Sequence, residues 1–520
     1  MIKKYLDNRF LTLFLFPFLI GSMSVLSFQP FNFTFVNFFV LPIFFYLLVY
    51  IKKKSKSIYR KKPYRKNIFL FGTAFGFGFF LSGLHWITNS LTFDDNFKIL
   101  IPFSLILIPL FLSLFFSLVS LLIGPFLNFN FQSIILLSSS LAFADYVRNY
   151  IFTGFPWNFW AYSFSWATEI IQILNISGLF AFNLISITIF MLPAVIFLNL
   201  KFIGKIYTFT ILVFALLMFY IYGNHSINLN QEKIKDIENK INIKIVSPNF
   251  ELEFGLNRND IEDRLKKLIR YSDPKDEKQT LYIWPEGVFS GYSYKEILDL
   301  KQIFSKNFKE NHFILFGVNR FNSEKKGVYN SLILVNNKME IVQEYQKTKL
   351  VPFGEFLPFE KTLSQIGLKK ITEGHGSFLI GEKLENLKFD KLNILPLICY
   401  EIIFTNLIQS SDKETNLIVN ISEDGWFGNS IGPHQHFAKS IFRAIEHNTF
   451  LVRSANKGIS AFISNKGEVI KNLNSYEAGF IQLEVPLIQN ENKNKNDLIF
   501  FALLFTYILS FIIRNKYSGK

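Results

Sequence analysis

LPLICYEIIF, residues 395–404, holds the only cysteine of the chain, Cys399, at the end of an apolar run. An apolar run of strand length that stops at Cys-Tyr-Glu is how a scaffold presents a reactive group at the rim of a sheet. Taken alone, a cysteine after Leu and Ile is more often a small buried hydrophobe. The choice turns on whether other strands of the chain end in the same way.

Around this stretch, residues 223–496 alternate charged segments with short β-type runs. INIKIV (241–246), LYIWPE (281–286), HFILFGV (312–318), SLILVN (331–336), NILPLICYE (393–401), NLIVNIS (416–422), FLVRSAN (450–456) and AGFIQLEV (478–485) read as strands. Residues 258–271 and 433–447 read as helices, the first with Asn259 or Asp260 available as N-cap. That mixture predicts an α/β or α+β sandwich with one core and no internal repeat. A single cysteine excludes an intramolecular disulfide and any Cys-based metal cluster.

The flanking segments are of another kind. Half of the 520 residues are hydrophobic and 64 are Phe, which is not a soluble composition. A bilayer-spanning helix needs about 20 mostly apolar residues. Residues 1–222 supply seven such runs, at 9–27, 31–51, 67–90, 99–124, 132–150, 170–198 and 204–222, and residues 497–520 supply an eighth near 497–514. No small-residue cleavage site follows the first run, so it is expected to be a retained helix. Lys3, Lys4, Arg9, residues 52–66, Lys201 and Lys205 fall on one side of this count, and Asp94 and Asp95 on the other. The positive-inside rule then predicts cytoplasmic termini, with Arg514, Lys516 and Lys520 inside and residues 223–496 outside the cytosol. The net charge of +15 does not call for nucleic acid, because nine Lys or Arg and no acid sit in KKKSKSIYRKKPYRK (52–66), a loop expected to face lipid headgroups.

Two further polar residues follow apolar runs as Cys399 does: Glu286 in IWPEG and Lys347 in EYQKTKLVPFGE. Together the three allow nucleophilic catalysis. A thiol with an ordinary pKa of about 8.5 needs a base or a cation to act as a nucleophile at neutral pH, and a lysine can also stabilise an oxyanion. Each alone has a plainer explanation, as a buried hydrophobe, a capping carboxylate or a solvated amine.

The contexts of these residues resemble the nitrilase superfamily, and within it the bacterial apolipoprotein N-acyltransferases. The matching pieces are WPEG (284–287), YQKTKLVPFGEFLP (345–358), ICYE (398–401), NISEDGWFG (420–428), RAIEHN (443–448) and RSANKGIS (453–460). SFQPF (27–31) and TGFPWN (153–158) extend the match into the apolar half, so it covers nearly the whole chain. The resemblance implies a multi-pass α-helical membrane domain joined to an αββα sandwich. It implies Cys399 as nucleophile, Glu286 as general base and Lys347 as oxyanion stabiliser, with Glu355 holding Lys347 or a proton, Tyr400 offering a backbone N–H and Glu401 beside it. It further implies transfer of a fatty acyl chain from a membrane phospholipid, through a thioester, to the N-terminal amine of diacylglyceryl-cysteine in a lipoprotein. The setting would be the bacterial inner membrane with a periplasmic catalytic domain, and a monomer without cofactor.

Other features have weaker claims. His434 and His436 in GPHQH are two apart, a spacing that does not put both on one helix face, and no metal is expected there. Asp424, Trp426 and Phe427 are expected to form a turn with buried aromatics, with Trp426 and Phe427 as candidates to line a lipid entrance. Asp145 and Arg148 are expected as an interfacial pair, and TGFPWNFW as an aromatic belt. The rival enzyme is a membrane-tethered amidase or nitrile hydrolase with water as acceptor. The rival from another class is a transporter or scaffold, disfavoured because the apolar runs are nearly free of ionisable residues.

Overall fold

The computed structural model describes residues 6–58, 64–253, 255–275, 277–366, 370–371, 377–410, 412–488 and 496–518. Two compact units emerge, one of Met1–Thr88, Ile99–Ser226 and Asn494–Lys520, the other of Asn89–Lys98 and Ile227–Lys493.

The first unit is helical: α1 (Leu11–Ser27), α2 (Asn37–Ile58), α3 (Tyr64–Leu84), α4 (Ile101–Ile123), α5 (Phe131–Tyr150), α6 (Leu174–Met191) and α7 (Phe202–Lys235), whose last turns belong to the second unit. Among the described residues, five helical segments are long and apolar enough to cross a membrane: Thr34–Lys54, Tyr64–Leu91, Asp95–Phe126, Leu174–Phe197 and Phe202–Lys235. Apolar faces alone give helices no reason to associate in lipid, so close backbone approach must do it. Gly21 of α1 and Gly78 of α3 make that approach, since a Cβ at either would lie 2.1 Å from a carbonyl oxygen of the other helix. The C-terminal helix, Asn496–Ser518, packs on α5 and α6, with Phe500 and Phe501 against Tyr146.

Two expectations change here. The basic stretch 52–66 is helical at both ends: residues 52–58 continue α2 and 64–66 begin α3, while 59–63 lie outside the described residues, as do Lys3 and Lys4 and the side chains of Arg514, Lys516 and Lys520. Lys52 is buried and donates to the Leu127 carbonyl at 2.6 Å, serving the helix end rather than a headgroup. Asp145 and Arg148 do pair, at 2.7 Å, yet both are buried inside the unit rather than interfacial. Asn183 donates to the second oxygen of Asp145 and Arg148 donates to the Phe155 carbonyl, so no charge there is left uncompensated.

The second unit holds twelve strands in two sheets: β1 (Lys240–Ser247), β2 (Thr280–Ile283), β3 (His312–Asn322), β4 (Gly327–Val335), β5 (Ile341–Gln346), β6 (Leu387–Phe389), β7 (Leu392–Ile398), β8 (Leu417–Glu423), β9 (Leu451–Asn456), β10 (Ser460–Ile463), β11 (Val469–Leu473) and β12 (Gly479–Pro486). The sheet orders are β12-β1-β2-β3-β4-β5 and β11-β10-β9-β8-β7-β6. Reversing the second order exposes a shared plan, in which each sheet has a parallel trio, β1-β2-β3 or β7-β8-β9, with one antiparallel strand on one side and two on the other. No sequence repeat announces this, because burial constrains only apolar character and not identity.

The β7 run is apolar throughout because both faces of a parallel trio are covered. Pro396 is tolerated inside it because β6 pairs only with Leu392–Ile394, so no N–H is needed at residue 396 on that side. Ile243, Ile245, Ile283, Leu332 and Leu334 of the first sheet meet Ile394, Ile398, Leu417, Val419 and Ile421 of the second in one core. Each such side chain, fully buried, is worth about 1.5–3 kcal/mol. Outside the first sheet lies α8 (Arg258–Ser272), and against the second lies α9 (Gly432–His447). The layers are therefore helix, sheet, sheet, helix. The N-cap of α8 is Asn257 rather than Asn259 or Asp260, and Asp260 completes a capping box with it.

Candidate active site

The rim residues arise where strands stop. β2 ends at Ile283 and the chain turns through Trp284–Pro285 to Glu286, with Gly287 at φ +72 making the turn that follows. β5 ends at Gln346, immediately before Lys347. β7 ends at Ile398, and Cys399 opens a 3-10 turn to Ile403. Cys399 itself has φ +48, the left-handed region that costs a non-glycine residue about 1–2 kcal/mol.

Glu286, Lys347 and Cys399 are all buried and converge. Lys347 Nζ lies 3.5 Å from Glu286 Oε1 and 2.9 Å from Glu355 Oε1. Burial works against the Lys347 cation, but Glu286 and Glu355 outweigh it and hold its pKa above the ordinary value. Burial, reinforced by Glu286, pushes the Cys399 thiol well above its ordinary value, while Lys347 pulls the other way. The resting site is thus a neutral thiol beside a carboxylate that repels its anion and an ammonium that attracts it.

Asn330 ties the first sheet to this cluster, donating from Nδ2 to Glu286 Oε1 at 2.7 Å and to Glu355 Oε1 at 2.8 Å. The sequence carried a signal for it: Asn330 shares a strand face with Leu332 and Leu334, so it is a polar group on a core-facing line. Glu423, at the end of β8, donates its backbone N–H to Glu286 Oε2 at 3.1 Å. Burial raises the Glu423 carboxyl to about 8, against the pull of Asn456 and the Gly425 N–H.

Glu401 is fully buried and joins two rim loops. Its Oε1 accepts from Tyr345 Oη, Thr348 N, Thr348 Oγ1 and Lys349 N at 2.7–3.1 Å, and its Oε2 accepts from Ile398 N at 2.8 Å. The segment after Lys347 is thereby fastened to the Cys399 turn. Lys347 Nζ is held by Glu286 and Glu355, whereas Lys349 Nζ lies 5.5 Å from the Phe404 ring centre. Tyr400 is buried, and burial raises its phenol pKa. Trp426 and Phe427 lie in the 3-10 turn Asp424–Phe427 and are half-buried rather than enclosed. Trp426 packs edge-on against Phe93, Phe427 packs against His436, and Asn89 Nδ2 donates to the Phe427 carbonyl at 2.6 Å. Among the described residues, no three His, Cys, Asp or Glu side chains gather as a metal site.

A back-to-back pair of six-stranded sheets with a thiol, an ammonium and two carboxylates at one rim defines a carbon–nitrogen hydrolase domain, here joined to a multi-pass helical unit. The carbon-nitrogen hydrolase family matches residues 252–490, and the apolipoprotein N-acyltransferase N-terminal domain family matches residues 20–195. The apolipoprotein N-acyltransferase of Rickettsia typhi is 31% identical over 509 residues, covering 95% of this chain and 98% of its own. That of Rhodopseudomonas palustris is 30% identical over 489 residues, covering 90% and 88%. Among solved structures, Saccharomyces cerevisiae Nit3 of the nitrilase superfamily is 15% identical, with a TM-score of 0.36 over 48% of this chain and 91% of its own. The chain belongs to the apolipoprotein N-acyltransferase family. It is accordingly a membrane acyltransferase of the nitrilase superfamily.

Proposed function

We propose that Cys399 carries an acyl chain between two lipid-anchored substrates. Glu286 takes the thiol proton as Sγ attacks the ester carbonyl of a phospholipid, and Lys347 stabilises the oxyanion. Collapse of that intermediate expels the lysophospholipid alkoxide, which takes the proton from Glu286, and leaves an acyl thioester. The α-amine of a diacylglyceryl-cysteine then attacks the thioester and loses a proton to Glu286, and the Cys399 thiolate leaves and is reprotonated. The observation that carries this reading is the fully buried Lys347 bonded to two carboxylates while its charge reaches the Cys399 thiol. A buried lysine with no chemical duty would cost more than an apolar residue in its place.

Glu355 keeps Lys347 charged and aimed, Glu401 keeps the two loops in register, and the Tyr400 N–H serves the oxyanion. Trp426 and Phe427 face the acyl chain. On this reading the α/β unit lies outside the cytosol and both termini lie inside, which the distribution of Lys and Arg between the apolar runs supports. Labelled phospholipid supplied with a diacylglyceryl-cysteine peptide should yield a triacylated peptide, whereas release of free fatty acid alone would identify a hydrolase instead.

A further inference from the structure

A second group of buried polar side chains reaches the backbone of Cys399. His436, in the second turn of α9, sets Nε2 3.3 Å from the carbonyl oxygen of Cys399. A carbonyl only accepts, so this contact assigns the hydrogen to Nε2, and in the neutral ring that burial favours Nδ1 is left an acceptor whose donor is Arg453 Nη2. The opposite edge of the ring is equally fixed. Nδ1 lies 3.0 Å from Asp424 Oδ1 and 3.1 Å from Arg453 Nη2, and Arg453 Nη2 donates to Asp424 Oδ2 at 2.7 Å. Ser422 Oγ donates to Asp424 Oδ1 at 2.6 Å, Arg453 Nη1 donates to Asn420 Oδ1, and Asn420 Nδ2 donates to the Leu397 carbonyl at 3.0 Å. His436, Asp424, Arg453, Asn420 and Ser422 are all fully buried. The Phe427 ring meets the imidazole edge-on, with 5.3 Å between ring centres.

A non-glycine residue at φ +48 reverts to ordinary backbone geometry unless its surroundings hold it. The Cys399 carbonyl is the handle by which it could be held, because its direction follows from that unusual backbone. Resting on the acyl-transfer reading above, we propose that His436 is a positioning residue. Its Nε2–H pins the Cys399 carbonyl, keeping the nucleophile's backbone left-handed and its sulfur aligned with Glu286 and Lys347. Arg453, itself held by Asp424, in turn holds the ring.

Two amide variants separate this role from packing. His436→Gln keeps a donor near the Nε2 position, whereas His436→Asn reaches only the Nδ1 position, serving Arg453 but not the Cys399 carbonyl. The full-length protein in detergent gives two readouts. The first is single-turnover acylation of Cys399 by labelled phospholipid. The second is the pH midpoint of Cys399 alkylation by iodoacetamide, which is unambiguous because the chain has one thiol. Glu286, Lys347 and Asp424 are the charged groups that set this thiol, and Asp424, Arg453 and Lys439 are those facing the imidazole. His436→Asn should slow acylation at least about tenfold, as a misplaced nucleophile does. It should also move the alkylation midpoint down toward the ordinary thiol value of about 8.5, as the sulfur leaves the site. His436→Gln should keep both near wild type. Equal behaviour of the two variants overturns the proposal, and so does loss of the folded protein in either, which would make the histidine a scaffold residue. If the wild type never acquires an acyl group, the transfer reading fails on its own, while the alkylation midpoints still report on the pin.

Discussion

Two buried polar clusters flank Cys399, and they differ in what they can do. On the first-sheet side, Lys347 is a charge held between Glu286 and Glu355, and the charges of Lys347 and Glu286 act directly on the thiol. On the second-sheet side, Asp424, Arg453 and His436 bond mainly to one another and reach Cys399 through its backbone carbonyl. Arg453, with the Ser422 hydroxyl, holds the Asp424 carboxyl well below the usual carboxylate range despite burial, and burial holds the His436 imidazole down at about 4. The larger charges on the reacting sulfur come from the first side, while on the second Asp424 adds a lesser one and His436 reaches the main chain. The first cluster should therefore govern protonation and rate, and the second should govern geometry.

The largest effect should come from the atom the clusters share. Cys399→Ala should abolish acyl-enzyme formation with no loss of fold, read by labelled-lipid transfer and a melting curve, because one sulfur matters far more chemically than structurally.

Glu286→Gln sharpens the contrast by slowing acylation while making the thiol more reactive toward an alkylating agent. Acylation should fall by roughly 10²–10⁴, the usual worth of a general base. The alkylation midpoint of Cys399 should fall as well, making the thiol more reactive toward iodoacetamide at a given pH, because the carboxylate that disfavours its anion is gone. A midpoint that rises would mean that Glu286 does not sit against the sulfur as a charge.

Lys347→Ala should slow thioester formation about a hundredfold, near 3 kcal/mol for a cation aimed at an oxyanion, and should raise the alkylation midpoint. Lys349→Ala should cost a few-fold at most, since its amine rests near Phe404 instead of the carboxylates. Equal losses in single-turnover acylation would reassign the oxyanion role.

The smallest effect concerns stability. Burial raises the folded-state pKa of Glu423 to about 8, so the fold holds a proton that the unfolded chain releases near the ordinary value of about 4.3. The associated stability is full below that value and is lost as pH rises toward 8. Glu423→Gln, neutral throughout, should flatten the decline of the melting temperature between pH 5 and 8, read by scanning calorimetry of the intact protein.

How much of this was legible in the sequence follows from the same physics. Eight strands could be read because they carry continuous or alternating apolar runs; Glu286 and Cys399 stood out because each lies at the end of one, and Lys347 because of the motif around it, EYQKTKLVPFGE. β5, β6, β10 and β11 escaped notice. IVQEYQ lies half-buried with polar residues interleaved, β6 and β10 are three and four residues long, and β11 is an edge strand with four of its five residues exposed. Asn330 was passed over because the apolar run was read from Ser331, one residue too late, and Ser422 because a short polar residue at a strand end looks alike whether it faces water or a buried site. His436 was read as structural from its spacing to His434, and nothing in the spacing points to a bond with a carbonyl 37 residues earlier. The inclusion of Asn89–Lys98 in the α/β unit is likewise invisible to composition, which sees only a polar gap between two apolar runs.

The covalent intermediate is the claim on which the rest depends. Intact-mass spectrometry of the purified protein after incubation with a phospholipid of defined acyl chains tests it most directly. An added mass equal to one acyl group, localised by peptide mapping to Cys399, released by hydroxylamine and absent in Cys399→Ala, is the predicted result. Full transfer of the chain to a diacylglyceryl-cysteine peptide with no acyl group ever appearing on Cys399 would contradict it.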